Sequence, residues 1–256
     1  MLHTLPPLVK ALVVNRPSKT IKSPYVADIQ LEDGTNALCH TPALGCCGLV
    51  SPGRTIYVSK SKDTSKTAYT AQISESKDDE GNYYVGLHPM ISQHMASKLL
   101  NKISPNVTWK TEVKISEHTR LDFVGTFGNS NKKIYVEVKN AMISNKCDKK
   151  RQERRAIFPD GFRKSKNDTI SPRAVKHAET LAELMNDDDT IACYLVFIVP
   201  RNDCKSGLEL NETDPTYCNA IKHAIANGVK VLVFGLDFLQ NGEIHFDKEL
   251  VFHPPS

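Results

Sequence analysis

Short runs of alternating apolar and polar residues fill the first third of the chain and predict a series of β-strands. The runs cover residues 8–14, 25–31, 54–60, 67–73 and 82–87. Turn-forming sequences separate them, among them Glu-Asp-Gly at 32–34 and Ser-Pro-Gly at 51–53, because glycine and proline interrupt extended structure. Short strands at this spacing predict a small closed barrel, and we expect an OB-like β-barrel over residues 1–87.

From residue 89 onward the apolar spacing changes to that of a helix. Apolar side chains recur at intervals of three and four residues, and Pro89 suits the first helical turn. They are Met90, Ile91, Met95, Leu99, Leu100 and Ile103. This stripe predicts a helix that packs against a core and joins the barrel to a second domain, residues 88–256.

The second domain alternates between strand-like and helix-like segments. Strands are predicted at 107–116, 120–127 and 133–139, which would form a three-stranded sheet, and again at 190–200 and 229–234. Ser171 followed by Pro172 predicts the start of one helix. Residues 217–226 predict another helix, with Asp214 and Pro215 as a turn or cap ahead of it. The run at 190–200 is almost wholly apolar, as in a strand buried on both faces. This order predicts an α/β domain with a mixed sheet, so the whole chain is of the mixed α/β class.

Composition indicates a soluble protein of ordinary makeup. The 256 residues are 40% apolar and 24% charged, with no apolar run near the ~18 residues that span a bilayer and no signal-peptide core. We therefore expect an intracellular, cytoplasmic protein without a membrane partner, and leave a nuclear or organellar location open. The seven cysteines form no C-x-x-C pair, which favours free thiols. A zinc site of Cys39, His40, Cys46 and Cys47 is the alternative, although adjacent cysteines rarely reach one tetrahedral ion.

Positive charge is concentrated in one segment. The formal net charge is +4, but residues 146–176 contain 11 Lys or Arg against 4 Asp or Glu. Such a segment attracts a polyanion, so we expect salt-dependent binding to DNA. Two alternatives remain: the ligand is RNA, or the segment is a solvated basic loop without a ligand. The residues expected to contact nucleic acid are Arg120, Lys150, Arg151, Arg154, Arg155, Arg173, Lys176, His177 and, in the barrel, His40. The barrel residues that could stack bases, or could instead pack in its core, are Tyr57, Tyr69, Tyr83 and Tyr84.

Two predicted strands carry a pattern of charged residues. Asp122 lies on the first, and Glu137 and Lys139 lie on the second, in the order D-x14-E-x-K. Strand side chains alternate between faces, so Glu137 and Lys139 share one face. We expect Asp122, Glu137 and the main-chain carbonyl of Val138 to hold Mg²⁺ or Mn²⁺, with Lys139 beside the attacking water. The alternative is that these residues form only a solvated sheet face.

This order resembles the catalytic pattern of PD-(D/E)XK nucleases, and a longer set of motifs resembles the sugar fermentation stimulation protein A family. The motifs are Arg-Leu-Asp-Phe at 120–123, Tyr-Val-Glu-Val-Lys-Asn at 135–140, Phe-Pro-Asp at 158–160, Lys-His at 176–177, Asp-Pro at 214–215 and Gly-Val at 228–229. The resemblance implies an N-terminal OB-like domain, a C-terminal PD-(D/E)XK nuclease-like domain, DNA binding and a regulatory role in bacterial sugar metabolism. The residues that fall on the family's motif positions include Glu112, Asp122, Glu137, Lys139, Pro159 and Asp160.

The chain departs from that family in its barrel. The family motif H-x-P-N-T-G-x-M is here His-Thr-Pro-Ala-Leu-Gly-Cys-Cys at 40–47, with Ala43 in place of Asn. The expected function is DNA binding with a divalent-metal-dependent nuclease site that includes Glu112 as a further acidic residue. The alternatives are a non-catalytic, sequence-nonspecific DNA-binding regulator and a barrel that binds a small molecule. No helix-turn-helix pattern is apparent, so base-specific reading is not expected, and pairing of two chains is left open.

Overall fold

The computed structural model describes residues 1–62, 65–117, 119–128, 130–145, 149–161, 165 and 168–255. Within these residues lie seventeen strands and three α-helices. The strands are β1 (His3–Thr4), β2 (Leu8–Asn15), β3 (Val26–Leu31), β4 (Asn36–His40), β5 (Thr55–Lys60), β6 (Tyr69–Asp78), β7 (Gly81–Gly86), β8 (Thr108–Ser116), β9 (Thr119–Thr126), β10 (Lys133–Asn140), β11 (Ile143–Ser144), β12 (Arg155–Phe158), β13 (Thr190–Val199), β14 (Gly207–Leu210), β15 (Lys230–Phe238), β16 (Glu243–Glu249) and β17 (Val251–His253). The helices are α1 (Pro89–Ile103), α2 (Pro172–Leu184) and α3 (Pro215–Ala226).

The first domain is a five-stranded barrel with one additional strand. The barrel strands follow the order β4-β3-β2-β5-β6, a parallel pairing of β4 with β6 closes the ring, and β7 pairs with β6. A five-stranded barrel of this kind is an OB-like fold, which confirms the predicted architecture. The strand β4 was not predicted, because Cys39 is the one buried residue among its five and no alternation appears.

Aromatic residues of the barrel pack against the second domain. Tyr57 and Tyr83 are 4% and 7% exposed, and the hydroxyl of Tyr57 donates to Glu75 at 2.6 Å. The hypothesis that these two tyrosines stack bases is therefore wrong, and they are packing residues. Gly86 marks a close approach of the two domains: an added Cβ there would lie 2.4 Å from the ring of Phe238, so a larger residue would force the ring aside.

A seven-stranded mixed sheet forms the centre of the second domain. Its order is β1-β16-β15-β13-β10-β9-β8, in which β10, β13 and β15 are parallel and β9 is antiparallel to both β8 and β10. The three strands predicted between residues 107 and 139 are thus one side of this larger sheet rather than a sheet of their own. The N-terminal β1 pairs with β16, so the residues ahead of the barrel join the opposite edge. A four-stranded sheet, β11-β12-β14-β17, completes the domain.

Both faces of the large sheet are covered. The face that carries Tyr135 and Phe197 packs against α2 and α3, whereas the face that carries Val136 and Val196 packs against α1 and the barrel. The predicted alternation along β10 is therefore confirmed, and it directs the side chain of Glu137 toward α2.

Capping side chains begin two of the helices where the sequence predicts. The Ser171 side chain accepts a hydrogen bond from the main chain of Ala174 at the start of α2, and Asp214 caps α3 in the same way. Each cap is followed by proline, whose missing N–H is not needed in a first helical turn. Among the helices that the structure describes, none combines the length and the apolar character needed to cross a membrane.

Candidate active site

The strands β9 and β10 bring Asp122 and the segment from Glu137 to Lys139 together. Oδ2 of Asp122 accepts a hydrogen bond from the main-chain nitrogen of Val138 at 2.7 Å, which joins the two strands just beyond their last paired residues. Asp122 is partly exposed, whereas Glu137 is 3% exposed. The structure thus places Asp122 on the strand next to Glu137 and Lys139, at the same level of the sheet.

Glu137 lies at the centre of this group. Its Oε1 accepts a hydrogen bond from Nζ of Lys139 at 2.6 Å and contacts Nδ1 of His177 on α2, and those two nitrogens are 3.1 Å apart. The other ring nitrogen of His177 lies 3.4 Å from Nε of Arg173. Oε2 of Glu137 and the hydroxyl of Tyr217 are both buried and have no hydrogen-bond partner among the described residues. Buried oxygens in this state are unusual and point to a role beyond packing.

The pKa of Asp122 is raised and that of Glu137 is lowered. Burial, and then the negative charge of Glu137, raise the pKa of Asp122 from 3.8 to about 7. Burial also acts to raise the pKa of Glu137, but the hydrogen bond from His177 and the positive charge of Lys139 outweigh it and lower that pKa below its ordinary value. At neutral pH, Glu137 is therefore ionised while Asp122 is close to half protonated. Perturbed carboxyl groups of this kind concentrate at functional sites.

Gln93 of α1 connects Asp122 to Glu112. Its side-chain nitrogen donates to Oε1 of Glu112 and to Oδ1 of Asp122, both at 2.7 Å. The sequence offered no signal for Gln93, because it lies between the apolar positions of a helix and belongs to no motif. Glu112 has a φ of 51° within β8, a left-handed conformation that is rare outside glycine, and such strain is typical of functional positions.

A groove of about 630 Å³ opens beside His177. Its lining is mostly basic and consists of Lys114, Ser116, Glu117, Thr119, Arg120, Pro172, Arg173, Lys176 and His177. Four residues predicted to contact nucleic acid therefore meet here, together with Lys114, which carried no recognisable pattern in the sequence. Arg120 also lies 3.9 Å from Glu112, so the groove adjoins the acidic group.

Two of the predicted nucleic-acid contacts hold the domains together instead. Arg154 is 1% exposed, and its guanidinium donates to Asp78 at 2.9 Å and to Asp203 at 2.6 Å. Arg151 donates to the same Asp78 carboxylate at 2.8 Å. The prediction for Arg154 is wrong, because a buried guanidinium held by two carboxylates cannot reach a phosphate. Arg151 likewise ties the second domain to the barrel.

The other predicted basic residues do not line the groove. Arg155 pairs with Glu209 at 3.2 Å across the four-stranded sheet, and Lys150 is exposed. Lys149 is also exposed. The remaining basic residues of the segment lie outside the described residues, and they are Lys146, Arg163, Lys164 and Lys166. The described basic side chains of residues 146–176 therefore lie in different places, among them the domain interface, the four-stranded sheet and the groove.

The barrel loop that follows His40 meets the Pro-Asp motif of the second domain. The thiol of Cys47 donates to Oδ2 of Asp160, and the side chain of Asn211 donates to the carbonyl of Pro159 at 3.1 Å. Burial raises the pKa of Asp160. The contact of Cys47 with Asp160 connects the two domains. A contact of His40 with nucleic acid stays a prediction.

Comparison with known proteins matches most of the chain to one protein family. A family model described as the sugar fermentation stimulation protein RE domain matches residues 87–242. A sugar fermentation stimulation protein homolog of Synechococcus elongatus is 29% identical over 252 residues, covering 93% of this chain and 95% of that protein. A homolog of Caulobacter vibrioides is 29% identical over 238 residues, covering 90% and 89%. The structure of Pyrococcus furiosus SfsA in complex with Ca²⁺ has a TM-score of 0.77 at 22% identity and covers 98% of each chain.

Proposed function

The chain belongs to the sugar fermentation stimulation protein (SfsA) family, and we propose that it binds DNA and hydrolyses phosphodiester bonds with a divalent metal ion. One observation carries this proposal: Asp122 is hydrogen-bonded to the main chain of Val138, between Glu137 and Lys139, and the side chains of those two residues contact each other. A carboxylate pair beside a lysine is the set of groups that suits metal-assisted hydrolysis. The partial exposure of Asp122 gives a substrate access to this group. The basic groove beside it is suited to a phosphate backbone.

The donor atoms of the site fit a hard cation that keeps much of its water. Asp122, Glu137 and the carbonyl of Val138 would hold Mg²⁺ or Mn²⁺, since such ions often take one or two carboxylates and fill their other positions with water and phosphate. The described residues contain no group of three or more His, Cys, Asp or Glu side chains arranged as a metal centre, which is consistent with so sparse a ligand set. A cation would satisfy the buried Oε2 of Glu137 and relieve the repulsion that raises the pKa of Asp122. The structurally similar P. furiosus protein is described in complex with Ca²⁺, another ion that takes oxygen ligands.

The residues of this chain would orient the reacting groups. When bound, the ion would polarise the scissile phosphate and lower the pKa of a water molecule. Lys139 orients the attacking water through Nζ, and the contacts of that nitrogen with Glu137 and His177 hold it in place. Gln93 fixes the carboxylate of Asp122 through its hydrogen bond at 2.7 Å.

The groove would supply affinity for DNA of any sequence rather than a preference for particular bases. Arg120, Arg173 and Lys176 line it with positive charge and would contact phosphates of the backbone. Because such contacts release counterions, DNA affinity should fall steeply between ~50 and ~200 mM salt. The same steep fall would speak against an uncharged small molecule as the main ligand.

Plasmid nicking tests the proposal directly. In Mg²⁺ or Mn²⁺, the wild-type protein should convert supercoiled plasmid to nicked or linear forms, while Asp122→Ala and Glu137→Ala should abolish cleavage. Retention of DNA by both variants on a gel should stay close to that of the wild type, because neither residue lines the groove. The exposed Glu249 offers a matched control, and Glu249→Ala should cleave normally. Unchanged cleavage by the two site variants would refute the assignment.

A DNA-binding protein that keeps this fold without cutting is the second candidate. The ion pair of Lys139 with Glu137 at 2.6 Å favours it, because a lysine held in this way also serves as a fixed structural charge. Salt-sensitive retention of DNA by the wild type, with no nicking at any Mg²⁺ or Mn²⁺ concentration up to the millimolar range, would select this candidate.

A further inference from the structure

The basic groove continues into a second cavity along α2. That cavity has a volume of about 430 Å³ and is lined by Ile115, Ser116, Thr119, Lys176, Glu179, Thr180, Glu183, Leu184 and Asp187. Ser116, Thr119 and Lys176 line both cavities. The two spaces are therefore one trough, which runs between α2 and the hairpin of β8 and β9.

The sign of the charge reverses along this trough. The half that includes His177 carries Lys114, Arg120, Arg173 and Lys176 against one acid, Glu117. The other half carries Glu179, Glu183 and Asp187, with Lys176 at the boundary between the halves. The three acidic residues of that half are exposed, so their field acts on whatever occupies the trough.

Helix stability does not explain this order of charges. A helix is favoured by acidic residues in its first turn and basic residues in its last turn, but α2 has neither. Its basic residues Arg173 and Lys176 lie in the N-terminal half, and Glu179 and Glu183 lie in the C-terminal half. Like charges three or four residues apart also repel one another weakly. The arrangement costs α2 stability, which favours a role in binding.

We propose that the trough limits the path of a bound nucleic acid: the phosphate backbone lies in the basic half and leaves the protein surface at Lys176, before the acidic half. The substrate class is therefore a strand that ends or bends sharply beside the site, rather than one that runs along the whole of α2. This inference rests on the proposed DNA binding. It adds the direction in which the strand runs along the protein and the point at which contact with the strand ends. Because the basic half adjoins His177, and His177 contacts Glu137, the strand end or bend lies next to the reacting phosphate.

Binding of single-stranded oligonucleotides of increasing length tests the limit without any cleavage. Fluorescence anisotropy in EDTA would compare the wild type with a Glu179→Lys, Glu183→Lys double variant. The variant should gain no affinity for the shortest oligonucleotides and progressively more for longer ones, as the strand extends into the second half. Its salt dependence for long strands should steepen by roughly 0.7 in log–log slope for each additional phosphate that the new lysines neutralise. Both positions are exposed on α2, so the variant should fold about as well as the wild type.

Reversing the charge of two acidic residues outside the trough separates this effect from general electrostatic attraction. Glu32 and Asp33 are exposed at the turn between β3 and β4, outside the trough, and changing both to lysine should show no gain that depends on length in this way. A gain by the α2 variant that is equal at all lengths, or no gain at all, would overturn the proposal while leaving DNA binding intact. Absence of any DNA binding by the wild type would instead overturn the proposed function and this inference together.

Discussion

Two groups of charged side chains among the described residues differ in how completely their carboxylates are paired. The interface cluster joins the barrel to the second domain and consists of Asp78, Arg151, Arg154, Arg201 and Asp203. The site cluster consists of Asp122, Glu137, Lys139 and His177. Every carboxylate oxygen of the interface cluster accepts at least one hydrogen bond, whereas Oε2 of Glu137 accepts none among the described residues.

The pKa values of Asp78 in the interface cluster and Asp122 in the site cluster shift in opposite directions. The hydrogen bond from Arg151, joined by that from Arg154, lowers the pKa of Asp78 from 3.8 to about 2. Burial and the charge of Glu137 raise the pKa of Asp122 from 3.8 to about 7. Folding therefore favours the charge of Asp78 and disfavours that of Asp122. The carboxylates of the interface cluster are fully hydrogen-bonded, as in a structural cluster, whereas the unpaired oxygen of Glu137 supports the function proposed for the site cluster.

Removal of Asp203 should produce the largest change in stability. Asp203→Ala leaves the guanidiniums of Arg154 and Arg201 buried without their shared partner, and breaking a buried pair in this way costs about 3–5 kcal/mol. Urea unfolding followed by circular dichroism would measure the loss. The control Glu249→Ala should change the free energy of unfolding by less than about 0.5 kcal/mol. A loss for Asp203→Ala no larger than that of the control would contradict the structural role.

Asp78 should make an intermediate contribution to the free energy of unfolding, and that contribution should depend on pH. Its pKa is about 2 in the folded protein against 3.8 ordinarily, so its contribution of about 2 kcal/mol is present above pH 4 and is lost as the pH falls toward 2. Asp78→Asn removes this contribution. The difference in free energy of unfolding between wild type and variant should therefore shrink across that acidic range. A difference that stays constant with pH would show that the charge of Asp78 is not responsible.

Neutralising Asp122 should have the smallest effect on stability and the opposite sign. The folded protein binds this proton more tightly than the unfolded chain does, since the pKa rises from 3.8 to about 7, so wild-type stability declines as the pH rises through that range. Asp122→Asn escapes the decline, but its single side-chain oxygen replaces two that accept hydrogen bonds from Gln93 and Val138. Because the lost bond offsets most of the gain, the variant should be more stable than the wild type by only about 1 kcal/mol at pH 8. Denaturant unfolding at pH 5 and at pH 8 would reveal the trend. A variant less stable than the wild type at pH 8 would remove the contrast between the clusters.

Local patterns predicted much of the fold and part of the site. The caps at Ser171 and Asp214 and the alternation that places Glu137 and Lys139 on one face depend on neighbours in sequence, and the structure confirms them. The OB-like barrel was predicted from strand spacing, although β4 was missed because its burial does not alternate.

The rest depends on contacts between residues far apart in the chain. Arg154 was counted as one more positive charge in a basic segment, and its partners Asp78 and Asp203 are distant in sequence, so no local pattern showed that it is buried. Gln93 was missed for the same reason, since its importance comes from Asp122 and Glu112 on other elements. Charge counting located the groove only roughly, because it does not distinguish a paired guanidinium from one that faces solvent.

Calorimetric titration with Mn²⁺ tests the central claim that the incompletely paired cluster is a metal-dependent site. The wild type should take up Mn²⁺ at concentrations in the millimolar range or below, and Asp122→Asn should lose at least tenfold in affinity, because it removes one of the two carboxylates expected to bind the ion. Asp78→Asn, in the interface cluster, should bind Mn²⁺ as the wild type does. Absence of uptake by the wild type, or equal uptake by the wild type and Asp122→Asn, would contradict the account.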